Sequence, residues 1–512
     1  MADIIILKVR RMSTAIATEK HGFWHMPKTF YAVLFIEFWE RFAFYGLQSV
    51  AVLFFIQKFG LKESQATDLF SSFSALLYAL MIIGGYLGDK ILGLRRTYLL
   101  GIIFLMLGYG SFGVVSDVHS LYWGMGMILV GNIFFKTNAG NFVSRCFKPT
   151  DPRFDSAFTY FYMSINLGSF FSMIIIPFVA LKTSYGFGIG LCGVGMFISL
   201  VSYFILRKYF IMSDNDTGRN AGNKLVLMLV ISAVAVALSY GLGSLLSNPS
   251  LSRKLLFSFA ALVLLVYLVI TFKLHEKFEK RGMSIALILL FQSILFWIMY
   301  MQMSTSLTLF AVHNVRNEIF GFAIPPEVTQ SFNPFYIFLL SPILATLYVR
   351  SEQKGSPISI PAKFAFGMLV CGATYLLLAA SCYYLSDANA TISMLWLFLG
   401  YGLYSLGELL ISAIGLSMVS KLIPARLGGF AQASWFMASA IGMKFGGMMA
   451  GFGSVNEDKV SSNLDILHSY QGLFTYIGIG ATGFAIVLFC FVKPLAKSMR
   501  DVMEHKAKVE NT

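Results

Sequence analysis

Long apolar runs alternate with short polar segments along almost the whole chain. The first run extends from Phe30 to Ile56 and contains only three charged residues, and a run of this length can cross a bilayer as an α-helix. Five further runs follow before a polar interval at residues 213–223. Two runs come after that interval, and six more complete the chain. This pattern of six, two and six predicts an all-α polytopic membrane protein with about fourteen transmembrane helices.

Two sets of six helices are the outline of transporters that are built from two halves around a central site. The two runs between these sets have the pattern of an inserted transmembrane hairpin. The sequence therefore predicts five units: a cytoplasmic N-terminal tail (residues 1–29), an N-terminal six-helix bundle (30–210), a linker with the hairpin (211–281), a C-terminal six-helix bundle (282–495) and a cytoplasmic tail (496–512).

The composition supports this class of protein. Hydrophobic residues make up 57% of the 512 residues and charged residues only 12%, whereas soluble domains carry about a quarter charged residues. The formal net charge is +14, but the lysines and arginines concentrate in alternate loops. By the positive-inside rule, this distribution places both termini in the cytoplasm. The basic excess is therefore a signal of orientation in the lipid bilayer, and we expect no nucleic-acid partner.

The first run carries two carboxylates and a guanidinium at the depth of the membrane. Glu37, Glu40 and Arg41 lie at helical spacing on one face, and Tyr45 and Gln48 continue that face. Ionised groups inside a bilayer are costly and normally face a protein interior or a wet cavity. This helix is therefore predicted to line a polar cavity, and a structural ion pair that locks two helices is the alternative.

Three later runs also contain isolated polar residues. Lys136 lies in the middle of the fourth run, where we expect an acidic partner, and Glu37 and Glu40 are the obvious candidates. Asn166 lies in the fifth run and is both a donor and an acceptor at bilayer depth. Glu408 lies in a run that has no other charged residue from 394 to 420. These residues are candidates for a binding site inside the membrane.

A loop and three helical motifs carry a family resemblance. The loop GGYLGDKILGLRR at residues 84–96 resembles the loop signature of the major facilitator superfamily, in which Gly85, Asp89 and Arg95 would have a conformational role. The motifs are E-x-x-E-R-F-x-F-Y-G from residue 37, G-N-x-x-x-K-x-N from residue 131 and F-Y-x-x-I-N-x-G-S from residue 161. Together they resemble the proton-dependent oligopeptide transporter family, and in particular its bacterial di- and tripeptide permeases.

This resemblance implies a fold and a function. The fold is that of the major facilitator superfamily, with two six-helix bundles and the inserted hairpin. The function is that of a proton-coupled symporter, not an enzyme, which imports di- and tripeptides by alternating access. The proton gradient is the energy source, and no cofactor is required. The resemblance also implies a multi-pass protein of the bacterial inner (plasma) membrane that functions as a monomer.

The resemblance also implies roles for individual residues of this chain. Proton coupling is expected from four charged residues: Glu37, Glu40, Arg41 and Lys136. Substrate contact is expected from a set of polar and aromatic residues: Tyr45, Tyr78, Lys136, Asn166, Trp297, Gln302, Asn333, Glu408, Trp435 and Ser439.

The two ends of a peptide are expected to contact different members of this set. Glu408 with Asn166 and Asn333 would receive the ammonium, because an ammonium offers only donors and needs acceptors. The peptide carboxylate needs donors, and these would be Lys136, Tyr45 and Tyr78. Trp435 and Ser439 would shape the space for peptide side chains, although ordinary aromatic packing is the alternative for the tyrosines and the tryptophan.

Three positions are unusual. Gln48 and Met301 stand where many members of the family carry an arginine and an acid, which pair across the outer mouth of the cavity in those relatives. In this chain both members of that pair are uncharged. We therefore expect this mouth to close through neutral contacts. Trp297 and Met301 would form its apolar surface, and Gln48 and Gln302 would supply hydrogen bonds. Lys444 lies deep in the eleventh core helix, and we expect it to pack or to snorkel toward an interface.

Other classes of protein fit the sequence less well. No Gly-Lys dipeptide is present to form the phosphate loop of an ATP-driven pump. Neither H-E-x-x-H nor G-x-S-x-G occurs, and the five dispersed cysteines include no C-x-x-C pair, so we expect no metal site. Two alternatives stay open: a facilitator-fold transporter of another small solute, and a peptide sensor that does not transport.

Overall fold

The structure is a computed structural model that describes residues 23–147, 151, 153–213, 221–319, 321–354, 358–454 and 462–510. This part of the chain contains sixteen α-helices: α1 Lys28–Phe59, α2 Glu63–Tyr86, α3 Leu94–Ser111, α4 Val118–Arg145, α5 Phe154–Lys182, α6 Tyr185–Ile205, α7 Arg207–Ser213, α8 Ala221–Leu246, α9 Pro249–Lys273, α10 Lys277–Ser304, α11 Ser306–Asn314, α12 Phe332–Gln353, α13 Ile360–Tyr384, α14 Met394–Leu422, α15 Gly428–Ala450 and α16 Asn463–Glu510.

Shorter elements connect these helices. A π-helical turn, Leu87–Ile91, extends α2, and three 3-10 helices lie at Phe23–His25, Pro326–Ser331 and Ala425–Leu427. Four strands of two residues each form two small sheets. The strands are β1 Val315–Arg316, which pairs in parallel with β4 Ile392–Ser393, and β2 Glu318–Ile319, which pairs antiparallel with β3 Phe322–Ala323.

The long helices follow the predicted order of six, two and six. Fourteen of the described helices have at least 18 residues, namely all except α7 and α11. Eleven segments in the described chain are both long and apolar enough to cross a bilayer. The prediction of an all-α polytopic membrane protein is therefore confirmed.

The long helices form two groups that the hairpin connects. Helices α1 to α6 pack against one another, and so do helices α10 to α16. In the hairpin, α8 packs on α4, and α9 packs mainly on α15 and α2. The contact of α8 is close, because a Cβ at Gly126 would lie 2.0 Å from the carbonyl oxygen of Ser239. Small residues allow this approach of two helix backbones, and the hairpin thus contacts both groups.

The helix that carries the charged residues is held against α5 by close backbone contact. A Cβ at Gly168 would lie 2.5 Å from the carbonyl oxygen of Phe38, so a larger residue would push α5 away from α1. Ser164 donates its hydroxyl to the carbonyl of Leu34 at 2.9 Å. Gly168 and Ser164 both lie in the motif at residues 161–169, so this motif helps to pack α5 on α1.

The loop after α2 makes a tight turn. Gly93 has a φ of +83°, a left-handed conformation that glycine adopts without a steric cost. The hydroxyl of Tyr203 donates to the carbonyl of Arg95 at 3.4 Å, which joins the loop to α6. Gly85 lies in α2 and Asp89 in the π-helical turn, and the side chain of Asp89 lies outside the described residues. The conformational role of Gly85, Asp89 and Arg95 stays a prediction.

The last helix continues beyond residue 495, where the C-terminal bundle is predicted to end. Helix α16 has 48 residues and extends to Glu510. Its distal part contacts the start of α10, where Arg281 Nη2 donates to Ser498 Oγ at 2.6 Å. The ring of Phe278 stacks on His505 with centroids 4.3 Å apart. The predicted tail is thus helical as far as Glu510 and packs on the C-terminal group, and the domain boundaries stay predictions.

The two groups of helices meet at one end of the molecule. Where α2 begins, α15 packs closely against it, because a Cβ at Gly447 would lie 2.1 Å from the Cβ of Ser71. Near the other end of α2, Ile83 and Tyr86 are exposed. We name the first region the closed end and define it as residues 63–72 of α2 with residues 444–450 of α15. The space between the groups is closed at this end.

Candidate substrate and proton-coupling site

The charged residues of α1 form a compact buried cluster. Arg41 donates two hydrogen bonds to the two carboxylate oxygens of Glu40, and its Nε lies 3.4 Å from Oε1 of Glu37. All three side chains are buried, and Oε2 of Glu37 has no hydrogen-bond partner within the described residues. The cluster therefore holds two carboxylates and one guanidinium. One more positive charge, from a proton or a cation, would neutralise it.

Lys136 lies beside this cluster but does not pair with it directly. Its Nζ lies 5.3 Å from the ring centroid of Phe44, and Cζ of Arg41 lies 5.0 Å from the same centroid. In the described structure no nitrogen–oxygen contact within 4.0 Å joins Lys136 to Glu37 or Glu40. The expected direct pair is therefore absent in this conformation, in which Arg41 is the cation that contacts both carboxylates.

A second charged group lies between α12 and α14. Asn333 Nδ2 donates to Oε2 of Glu408 at 2.7 Å and to the hydroxyl of Ser405 at 3.0 Å. The structure thus brings together two of the residues predicted for the peptide ammonium. The third, Asn166, lies on α5 in the other group and donates to the carbonyl of Tyr162 at 2.9 Å. Asn166 has no hydrogen bond to Glu408 among the described residues.

An aromatic surface extends between the two groups of helices. The rings of Tyr78 and Trp297 have centroids 5.5 Å apart, and those of Trp297 and Tyr300 are 4.9 Å apart. Tyr78 also approaches Phe436, at 6.4 Å. Sequence reasoning missed Tyr300 and Phe436. The signal for Tyr300 is its position three residues after Trp297, which places both rings on one helix face.

Three of the predicted substrate residues have structural partners. Trp435 is buried against Gly415 of α14, where a Cβ would lie 1.9 Å from its ring. Ser439 is buried and donates its hydroxyl to the carbonyl of Trp435 at 3.0 Å. Gln302 Nε2 donates to the carbonyl of Gly446 at 2.8 Å. These bonds hold the C-terminal group together, and contact of the three residues with substrate stays a prediction.

The closed end contains charged contacts between the groups. Lys444 is completely buried, and its Nζ donates to Oδ1 of Asp68 at 2.6 Å. Nearby, Nε2 of His313 lies 2.6 Å from Oε1 of Glu63. Of the two expectations for Lys444, packing agrees with its complete burial, whereas snorkelling is wrong because an acidic partner on α2 satisfies the ammonium inside the protein. The closure of the outer mouth through neutral contacts stays a prediction.

Comparison with known proteins places this architecture in a family. The sequence model of the family described as "PTR2: POT family" matches residues 91–464, which is most of the chain. The chain belongs to the POT family. The resemblance that the motifs indicate is therefore confirmed.

Relatives of the POT family match nearly the whole chain. "Dipeptide and tripeptide permease B" of Edwardsiella piscicida is 39% identical over 479 residues, which are 93% of this chain and 97% of the permease. A structure described as "Structural insights into substrate recognition in proton dependent oligopeptide transporters" is 33% identical, with a TM-score of 0.78 over 92% of this chain and 99% of the other.

A third relative has a known assembly. "Crystal structure of tetrameric PepTSo2 in I4 space group" is 32% identical, with a TM-score of 0.79 over 92% of this chain and 98% of the other. These relatives are transport proteins and not enzymes. The chain has the fold of the solved POT transporters, so the predicted major facilitator fold is confirmed.

Proposed function

We propose that this protein is a symporter that imports di- and tripeptides with protons, by alternating access across a bacterial inner membrane. The observation that carries the proposal is a pair of opposite charged poles on the two groups of helices. Arg41 and Lys136 supply the cations of the positive pole beside Phe44, whose net charge becomes positive when one carboxylate of the α1 cluster binds a proton. Glu408 with Asn333 forms the negative pole. A short peptide has a carboxylate at one end and an ammonium at the other, so the poles match its termini.

Tyr45 lies beside Arg41 of the positive pole. Cζ of Arg41 is 5.9 Å from the centroid of the Tyr45 ring. The peptide carboxylate needs donors, which Lys136 and Tyr45 supply, and the ammonium needs the acceptor oxygens of Glu408. Peptide side chains differ, and aromatic walls accept many of them because their contacts are largely apolar.

We propose that the cluster on α1 couples this binding to protons. A proton that binds the unpartnered oxygen of Glu37 neutralises that carboxylate and weakens its attraction for Arg41. Arg41, or Lys136 beside it, can then interact with the peptide carboxylate. With Glu37 protonated, the cluster and Lys136 together carry one net positive charge, which the peptide carboxylate neutralises. The proton and the peptide therefore favour each other's binding. A unit charge that falls through 100 mV releases about 2.3 kcal/mol, which supports about tenfold accumulation or more.

The alternation of basic loops supports an orientation with both termini in the cytoplasm. In this orientation α2 begins on the extracellular side, so the closed end faces outward. Residues 30–210 and 282–495 would be the two moving units. Both poles come from one chain, which supports a functional monomer, and the tetramer crystallised for PepTSo2 is the alternative.

Uptake into liposomes tests this proposal. Purified protein should accumulate a labelled dipeptide above equilibrium when an inward proton gradient is imposed, and a protonophore should abolish the accumulation. Protein-free liposomes are the control. Competition by a panel of peptides, sugars and nitrate defines the solute. Uptake of a sugar or nitrate in place of peptides would support the alternative transporter, and binding without uptake would support a sensor.

A further inference from the structure

One buried ion pair crosses the closed end and takes no part in the site described above. Nζ of Lys444 donates to Oδ1 of Asp68 at 2.6 Å and to the hydroxyl of Ser72 at 2.7 Å. It also donates to the backbone carbonyl of Asp68 at 3.3 Å. An ammonium has three donors, and here all three bond to α2. The two groups of helices cannot separate at this point without breaking these bonds.

The two partners differ in their access to water. The side chain of Lys444 has no exposed surface, whereas that of Asp68 is 16% exposed. Asp68 lines a cavity of about 850 Å³ between α2, the hairpin and α15. Of the other residues that line it, Arg253 of α9 and Tyr122 of α4 are charged or titratable. Water from the closed end can therefore reach the carboxylate, while the ammonium stays inside the protein.

Lys444 is fixed to the C-terminal group by tight packing around it. A Cβ at Gly446 would lie 2.6 Å from the Cβ of Met301 on α10, and Gln302 donates to the carbonyl of Gly446. Lys444 therefore moves with α10 and α15, and Asp68 moves with α2. Met301 stands where many members of the family carry an acid, and here its side chain is packed against Gly446. The pair of Lys444 and Asp68 supplies a charged contact at this end.

We propose that Asp68 and Lys444 form the extracellular latch of this protein, and that Asp68 binds a proton from the outer cavity when the latch opens. This proposal rests on the proposed function, because that function sets the orientation. In the step, a proton from water bonds to a carboxylate oxygen of Asp68, and the hydrogen bond from Lys444 to that oxygen breaks. Lys444 keeps its own proton. On closing, the proton returns to the extracellular side, so Asp68 controls the gate and does not carry the transported proton.

Other titratable groups at the closed end require a control. Arg253 faces the same cavity, and its Nε has no hydrogen-bond partner in the part of the chain that the structure describes. The pair of His313 and Glu63 joins α11 to α2 and also contains a titratable side chain. If Asp68 is the proton site, replacing His313 by glutamine leaves the pH dependence of latch opening in place.

Extracellular labelling of a thiol at the closed end tests the latch. Ser71 is completely buried there, and Ser71→Cys changes one atom of its side chain. Labelling with a membrane-impermeant maleimide is measured in oriented vesicles. The background labelling of the protein that keeps Ser71 is subtracted. At each pH the rate is normalised to that of the unfolded protein. We expect faster labelling at acidic than at neutral external pH, and a rise of about tenfold or more at neutral pH with Asp68→Asn.

The outcomes separate the latch from its alternatives. In Asp68→Asn, labelling should be fast and independent of pH, while His313→Gln should keep the pH dependence. The exchange of charges in Asp68→Lys with Lys444→Asp should restore slow labelling. Labelling of Ser71→Cys that does not change with pH in the otherwise unaltered protein would overturn the proposal, and so would unchanged slow labelling in Asp68→Asn. The assay needs no peptide and no gradient. A failure of the proposed peptide transport, which the liposome assay detects, is therefore distinguished from a failure of the latch.

Discussion

Replacing Glu408 by glutamine tests the negative pole without removing its packing. Asn333 Nδ2 donates to Oε2 of Glu408 at 2.7 Å and to Ser405 at 3.0 Å. Glutamine has nearly the same volume as glutamate, and its carbonyl oxygen can accept the same bond from Asn333. The substitution therefore removes the charge and keeps the hydrogen bond between α12 and α14. We expect the variant to fold and to bind the ammonium end of a peptide more weakly.

The expected loss is that of one charge-assisted interaction. A hydrogen bond to a charged group contributes about 1.5–3 kcal/mol, and about 1.4 kcal/mol corresponds to tenfold in affinity. Glu408→Gln should therefore weaken binding of a free dipeptide by about tenfold to a hundredfold. An N-acetylated dipeptide has no ammonium and should lose much less. The assay is competition with a labelled dipeptide, measured for both ligands in both proteins.

A matched control separates the pole from a general effect of the substitution. Glu279 pairs with Arg426 through two bonds of 2.6 Å on the exposed surface, so Glu279→Gln should leave both affinities unchanged. Equal losses for the free and the acetylated dipeptide in Glu408→Gln would refute the reasoning. The residue would then act on the conformation of the cavity and not on the peptide ammonium.

Three further predictions test other parts of the structure. Lys136→Ala should abolish gradient-driven uptake in a protein that still folds, because it removes a cation of the positive pole, and uphill uptake by this variant would contradict that role. Glu37→Gln should uncouple uptake from the gradient while peptide exchange partly survives. Glu40→Gln should do so too, because it removes one of the two carboxylates that pair with Arg41; uphill accumulation by both variants would place coupling elsewhere. The backbone N–H and hydroxyl of Thr391 donate to Asp387 and hold the pKa of that carboxyl below its usual value. Its stabilising effect on the loop is therefore present above the unfolded pKa, about 3.9, and is lost as the pH falls through the lower folded pKa. Hydrogen-exchange protection of the loop amides should fall only in that acidic range, and a constant protection factor would exclude the effect.

The membrane helices and the residues on each helix face follow from the amino-acid sequence. A long apolar run becomes a helix in lipid because its backbone groups must all be satisfied within the segment. Spacings of three and four residues then place side chains on one face, so the positions of Glu37, Glu40 and Arg41 already predict a cluster. The isolated charge of Glu408 indicates a functional site in the same way, because a lone carboxylate is costly inside a bilayer.

The partners of these faces depend on tertiary packing. Asn333 and Glu408 are 75 positions apart, and Asp68 and Lys444 are 376 positions apart. Helical periodicity relates residues of one helix and says nothing about residues on two. For this reason the sequence identifies Lys444 as an unusual residue but does not reveal Asp68 as its partner.

The physical reason is that lipid and protein interior are similarly apolar. Hydrophobicity therefore does not tell which face of a membrane helix turns inward. The choice is made by close fits between particular surfaces, such as Gly84 of α2, where a Cβ would lie 1.7 Å from the carbonyl oxygen of Ile133 on α4. Such a fit exists only when both helices are in place, and it orients the polar face of each helix toward its partner.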